Sequence, residues 1–167
     1  MSVLPLLLLA QVAQAGGLSW KPPSAWPADP HASQMRLATY RIPAARGDSE
    51  GGELGVFYFG RGEGGPATTN VDRWVHQFTP DAGAAKPSSR TETVNGIRVT
   101  RVTAEGTYAS GMPGGPSTPK AHFSLLGAIA EGPDGNVFFK LVGPRSTVRA
   151  ASAQFEALVR SLSRLPV

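Results

Sequence analysis

The strand, loop and helix that run from Glu53 to Phe78 constrain this chain more than any other part of it. Glu53-Leu-Gly-Val-Phe-Tyr-Phe-Gly60 is apolar on both faces, with Leu54, Val56 and Tyr58 on one side and Phe57 and Phe59 on the other. A strand of that pattern belongs inside a sheet covered on two sides. The stretch Thr69-Asn-Val-Asp-Arg-Trp-Val-His-Gln-Phe78 supplies one cover. With Thr68 or Thr69 as N-cap, it sets Val71, Trp74, Val75 and Phe78 at i, i+3, i+4 and i+7, an apolar stripe that places Trp74 in the core.

Between strand and helix, Gly60-Arg-Gly-Glu-Gly-Gly65 matches the letters of the dinucleotide fingerprint G-x-G-x-x-G. The context does not match. In that fingerprint the helix opens within the glycines and its first amides hold a pyrophosphate, whereas here Pro66, Ala67 and two threonines intervene and no βαβ repeat follows. The Lys-Ser/Thr of a Walker loop is also missing. Two readings stay open: a flexible turn that uses glycine for φ > 0, or a small nest of amides that binds an anion. On the second reading the ligand-binding residues are Arg61, Gly62, Gly64 and Gly65 with Asn70 and Arg73 from the helix. The two arginines contribute planar donor forks for carboxylate or phosphate, and a helical Arg73 points back toward the loop.

The N-terminus reads as an export signal over residues 1–15, an apolar run that ends in the small-x-small pattern Ala13-Gln14-Ala15. It is too short to span a bilayer, which takes roughly 20 apolar residues, and no other segment is long enough. The start lacks the usual Lys or Arg, so a buried N-terminal helix or strand is the alternative. The chain contains no cysteine, which removes disulfides, thiolate metal sites, cysteine nucleophiles and a lipidated N-terminal cysteine. The expected location is therefore soluble, periplasmic or extracellular. Net charge is +4 from 16 basic and 12 acidic residues. Such a balance leans toward anionic partners, but the basic residues are scattered singly, which argues against nucleic acid and for ordinary solubility.

Further along, Trp20 and Trp26 lie in a proline-broken arm and are expected to pin it to the domain rather than stack on a ligand. Met35–Ile42 alternates as a strand that ends at Pro43. Asn95-Gly96, flanked by Thr91–Val94 and Ile97–Val102, signals a hairpin, because a type I′ turn needs two residues with φ > 0. Two apolar strands, Ala121–Ala130 and Val137–Val142, flank a turn at Glu131–Asn136. Lys140 is out of place in the second. A desolvated lysine binds anions or forms Schiff bases, whereas one that snorkels to the sheet end or meets a carboxylate is merely structural, and the sequence favours the latter. Ser146–Leu162 forms a closing helix with Val148, Ala151, Phe155, Leu158, Val159 and Leu162 on one stripe.

The order is β-β-α-β-β-β-β-α. It implies an α+β fold in which helices cover an antiparallel sheet on both sides, an α/β/α sandwich. This arrangement resembles the PsbP-like superfamily, through Trp20-Lys-Pro-Pro-Ser-Ala-Trp26 leading into strands, Asn70-Val-Asp-Arg-Trp74 in the first helix, and the last strand before the Phe155/Leu158/Leu162 helix. The resemblance spans residues 16–167 as a single domain and is closest to bacterial exported proteins of that type. It implies a non-enzymatic accessory or binding role, with no cofactor, whose partner is a protein or an anionic ligand. The alternative is a cell-envelope hydrolase. Against it stands the absence of H-E-x-x-H, G-x-S-x-G and any metal-ligand spacing. Its remaining support is the chance that His31, His76 and His122 converge, or that Asp72 at i, i+4 orients His76 for acid–base work.

Overall fold

A computed structural model describes residues 13–29, 36–109 and 118–167. The principal strands are β4 (Arg36–Ile42), β5 (Gly52–Tyr58), β7 (Ser88–Val94), β8 (Ile97–Tyr108), β9 (Lys120–Gly132) and β10 (Gly135–Pro144), with helices α1 (Ala67–Val75) and α2 (Arg145–Arg160). Five two-residue strands complete the set: β1 (Gln14–Ala15), β2 (Leu18–Ser19), β3 (Ala28–Asp29), β6 (Phe78–Thr79) and β11 (Ser163–Arg164). The principal elements follow the expected order.

All strand pairs are antiparallel. The large sheet runs β3-β4-β5-β10-β9-β8-β6, with β7 also paired to β8, and a small sheet β1-β2-β11 stands apart. β5 lies between β4 and β10, the interior position that its two apolar faces require. Asn95 and Gly96 turn β7 into β8 with φ of 48° and 78°, as a type I′ turn demands.

On one face, Leu54, Val56, Val137, Phe139 and Leu141 are fully buried against the α2 stripe of Val148, Phe155, Leu158 and Leu162. Trp20 and Trp26 join this core, the first edge-on to Phe139 with ring centroids 5.1 Å apart and the second donating Nε1–H to Gln154 Oε1 at 3.2 Å. The arm is pinned, as expected. On the other face, Val71, Trp74 and Phe78 pack on Val102, Leu125, Ile129 and Phe138.

The coverage of that second face departs from the sandwich expected. α1 is only nine residues long and starts earlier than the threonines suggested, with Pro66 as N-cap and no side-chain capping bond. It also ends earlier, so that Phe78 enters the core from β6 and not from the helix. The architecture is a large antiparallel sheet with two helices, and α1 leaves part of its face open.

Of the expected export signal, residues 1–12 lie outside the described residues, as does His31. Ala13, Gln14 and Ala15 are described: Ala13 is buried, its carbonyl accepts from Trp20 N–H at 3.0 Å, and Gln14 and Ala15 pair with β2. Among the described residues, cleavage after Ala15 would remove β1 and the Ala13 contact with Trp20, while β2 would keep its pairing to β11.

Candidate functional site

Strand alternation places Phe138, Lys140 and Val142 of β10 on the α1 face, while Val137, Phe139 and Leu141 point to α2. Lys140 thus stands in mid-sheet. Its cross-strand neighbours are both glycines, Gly55 on β5 and Gly127 on β9. Aromatic rings occupy the room that side chains would take: a Cβ on Gly55 would lie 2.8 Å from the Phe57 ring, and one on Gly127 would lie 2.9 Å from the Trp74 indole. The lysine stem is therefore walled by Phe57 and Trp74, with its Nζ 5.8 Å from the Trp74 ring and 5.5 Å from the Tyr108 ring.

The ammonium neither snorkels to a sheet end nor meets a carboxylate, which corrects the structural reading of Lys140. It donates to Gln77 Oε1 at 2.5 Å and to Tyr108 Oη at 3.4 Å, both neutral acceptors. Burial pushes its pKa down to about 8, the positive charges of Arg73 and Arg36 add to the fall, and Glu53 opposes it.

Two hollows share Lys140 and Phe57 in their walls. The inner one, about 190 Å³, lies under α1 between Phe59, Trp74, Phe138 and Arg73. The outer one, about 360 Å³, extends over Gly55 toward Arg36, Glu53, Lys120 and Glu50. In the outer hollow Arg36 pairs with Glu53 while its guanidinium lies 5.0 Å over Phe57, and Lys120 meets Glu50 at 2.7 Å. The inner hollow has no carboxylate among its lining residues.

The structure divides the residues expected at the glycine loop. Asn70, buried, donates from Nδ2 to the carbonyls of Gly64 (2.8 Å) and Pro66 (3.0 Å) and accepts from Arg73 Nη2 through Oδ1 at 2.6 Å. It thereby ties the loop to the helix and orients Arg73. Both Asn70 and Arg73 line the inner hollow. Gly64 and Gly65 shape the turn, each with φ near +80° to +90°. Arg61 turns away to pair with Asp134 on the β9–β10 turn, and neither it nor Gly62 lines the hollow.

The two described histidines, His76 and His122, have separate partners. His76 contacts the Asp72 carbonyl through Nδ1 at 2.6 Å and not the Asp72 carboxylate. His122, with φ of 56°, gives its backbone N–H to Asp81 Oδ2 at 2.8 Å. Among the described residues no three His, Asp or Glu side chains are grouped to hold a metal ion, and no helix is long and apolar enough to cross a membrane.

Sequence reasoning noticed Lys140 but missed Arg36 and Gln77. Arg36 is found only through register, since it pairs with Phe57 on β5, and Gln77 lies between α1 and β6, where no strand pairing points to it.

No protein-family model matches the chain, and comparison with curated protein sequences gives no match. Solved structures do match. The crystal structure of a Pseudomonas aeruginosa protein of unknown function aligns over 83% of this chain and 89% of its own, at 12% identity and a TM-score of 0.51. The solution structure of cyanobacterial PsbP, CyanoP, from Synechocystis aligns over 89% of this chain and 87% of its own, at 14% identity and a TM-score of 0.53. Such identities speak for the fold alone. The structural resemblance expected from the sequence is therefore present, and the fold of this chain is PsbP-like.

Proposed function

We propose that this chain is an exported, non-catalytic binding or accessory protein and that it captures an anionic ligand at the hollow around Lys140 and Arg73. The observation that carries the reading is Lys140 itself. A lysine held in mid-sheet between two glycines, against aromatic walls and without a carboxylate partner, costs the fold stability, and such a cost is repaid when an anion arrives. Arg73 lines the same hollow, hydrogen-bonded only to a neutral amide, so two positive charges converge where no lining residue is a carboxylate and Glu53 acts only from the outer hollow.

Calorimetric titration with small carboxylates and with phosphate tests the site. Heat that weakens with added salt and is lost in Lys140→Met supports it, whereas equal heats in wild type and variant place anion binding elsewhere. Export rests on the apolar N-terminal run and Ala13-Gln14-Ala15. N-terminal sequencing of the protein from the producing cell should begin at Gly16, and an intact Met1 on cytoplasmic protein overturns export.

A further inference from the structure

We infer that the inner hollow selects a small monocarboxylate with a flat apolar body of about one ring. The inference rests on the anion-binding reading above and narrows it to a ligand class.

Size sets the first limit. An apolar protein cavity of about 150 Å³ holds a benzene molecule, so a hollow of about 190 Å³ holds one ring and a small substituent. The walls set the second. Phe57, Phe59, Trp74 and Phe138 present faces and edges, with Phe59 and Phe138 edge-to-face at 5.5 Å and Trp74 and Phe138 likewise at 6.4 Å. A flat ring adds to such a cluster at little cost in conformational entropy.

Charge sets the third. In the outer hollow Arg36 and Lys120 already have Glu53 and Glu50, so a second anion gains little there. In the inner hollow Arg73 is capped by the amide oxygen of Asn70, and Lys140 by the amide oxygen of Gln77 and the hydroxyl of Tyr108, all of them neutral. A carboxylate between them meets a guanidinium fork on one side and an ammonium on the other, and it needs no further counter-charge. The ammonium has three N–H donors and spends them on at most two neutral acceptors, which leaves one for the ligand. A phosphate dianion would bring a second negative charge against Phe59 and Phe138, and the described residues that line the hollow offer no third cation to meet it.

Benzoate, benzamide and inorganic phosphate separate the alternatives when each is titrated into the full chain at pH 7 and low salt. The expected result is benzoate binding at least 10-fold tighter than either benzamide or phosphate, with the preference over benzamide lost in Arg73→Gln and in Lys140→Met. Equal binding of benzoate and benzamide makes the hollow a plain apolar cavity and overturns the inference. Equal or tighter binding of phosphate makes it a general anion site, which overturns the inference and leaves the broader reading standing. Binding of no anion defeats both. Circular dichroism of each variant, unchanged from wild type, shows that a lost preference is not lost folding.

Discussion

The two faces of β10 differ by one residue in register and by nearly everything in chemistry. Val137, Phe139 and Leu141 have no accessible surface and meet a sixteen-residue helix along their length. Phe138, Lys140 and Val142 face a nine-residue helix that leaves room for two hollows, and Lys140 carries a charge into it. The same backbone, bonded to β5 and β9 on its two sides, serves both. Stability is concentrated on the α2 face, and the α1 face is free to carry groups that a packed core excludes.

The largest effect should come from truncation on the packed face. Phe139→Ala removes a fully buried ring that also contacts Trp20 edge-on, and a loss of roughly 3–5 kcal/mol is expected from chemical denaturation. A loss under about 1 kcal/mol, the range of ordinary surface changes, would erase the distinction between the faces.

On the other face the sign should reverse. Lys140→Met keeps the stem and deletes the charge, and wild type pays for that charge through a pKa lowered from 10.5 to about 8. Below about pH 8 the lysine is protonated in both folded and unfolded chains and the whole penalty is present. Between about 8 and 10.5 the folded chain gives up the proton while the unfolded chain keeps it, so wild-type stability rises with pH. The variant should therefore be more stable at pH 7 by up to roughly 3 kcal/mol, an advantage that fades by pH 10.5. The charged and titratable groups around Lys140 are Arg36 on β4, Glu53 on β5, Arg73 on α1, Tyr108 on β8, and Glu50 and Lys120 at the outer rim. A variant less stable than wild type at pH 7 would mean that Lys140 is well compensated. In wild type, anion affinity should fall as pH rises through about 8, and a flat profile there would remove Lys140 from the site.

Gly127→Ala probes the wall. The added Cβ meets Val102 Cγ1 at 2.5 Å and the Trp74 indole at 2.9 Å, so at least one of them must shift. Overpacking of this kind costs roughly 1–3 kcal/mol, and movement of Trp74 should narrow the inner hollow and weaken binding there. Unaltered Trp74 fluorescence together with unaltered binding would show that the contact relaxes without cost.

Much of the fold was legible because its signals are local. Asn95-Gly96, the alternation of β5 and the stripe of α2 each lie within one stretch of sequence and each appears where expected. α1 starts ahead of both threonines because Pro66, with extended backbone, serves as its N-cap and no side-chain oxygen caps the first amides, while Asn70 donates back to the Pro66 carbonyl. The site was harder to read because it is made by register. Gly55 and Gly127 are 72 positions apart in sequence yet oppose the same lysine, and no periodicity within either strand points to the other. Asn70 and Arg73 were expected at the site for their nearness to the glycine loop, and they line the hollow because Asn70 ties that loop to the helix.

The smallest effect separates the two arginines that the sequence placed together. Arg61 is 77% exposed and its partner Asp134 is 49% exposed, so the pair is solvated and worth between about 0 and 1 kcal/mol. Arg73 is held by Asn70 in the wall of the hollow, where its charge acts on Lys140. Arg61→Ala should leave both the unfolding midpoint and anion affinity nearly unchanged, while Arg73→Ala should leave the midpoint unchanged and weaken the anion at least 10-fold. Arg73→Ala should also raise the Lys140 pKa, since one of the two positive charges that depress it is gone, and this shift can be followed by NMR titration of the lysine side chain. If Arg61→Ala weakens the anion and Arg73→Ala does not, the ligand sits on the amides of the glycine loop, and the difference between the two faces of β10 concerns stability alone.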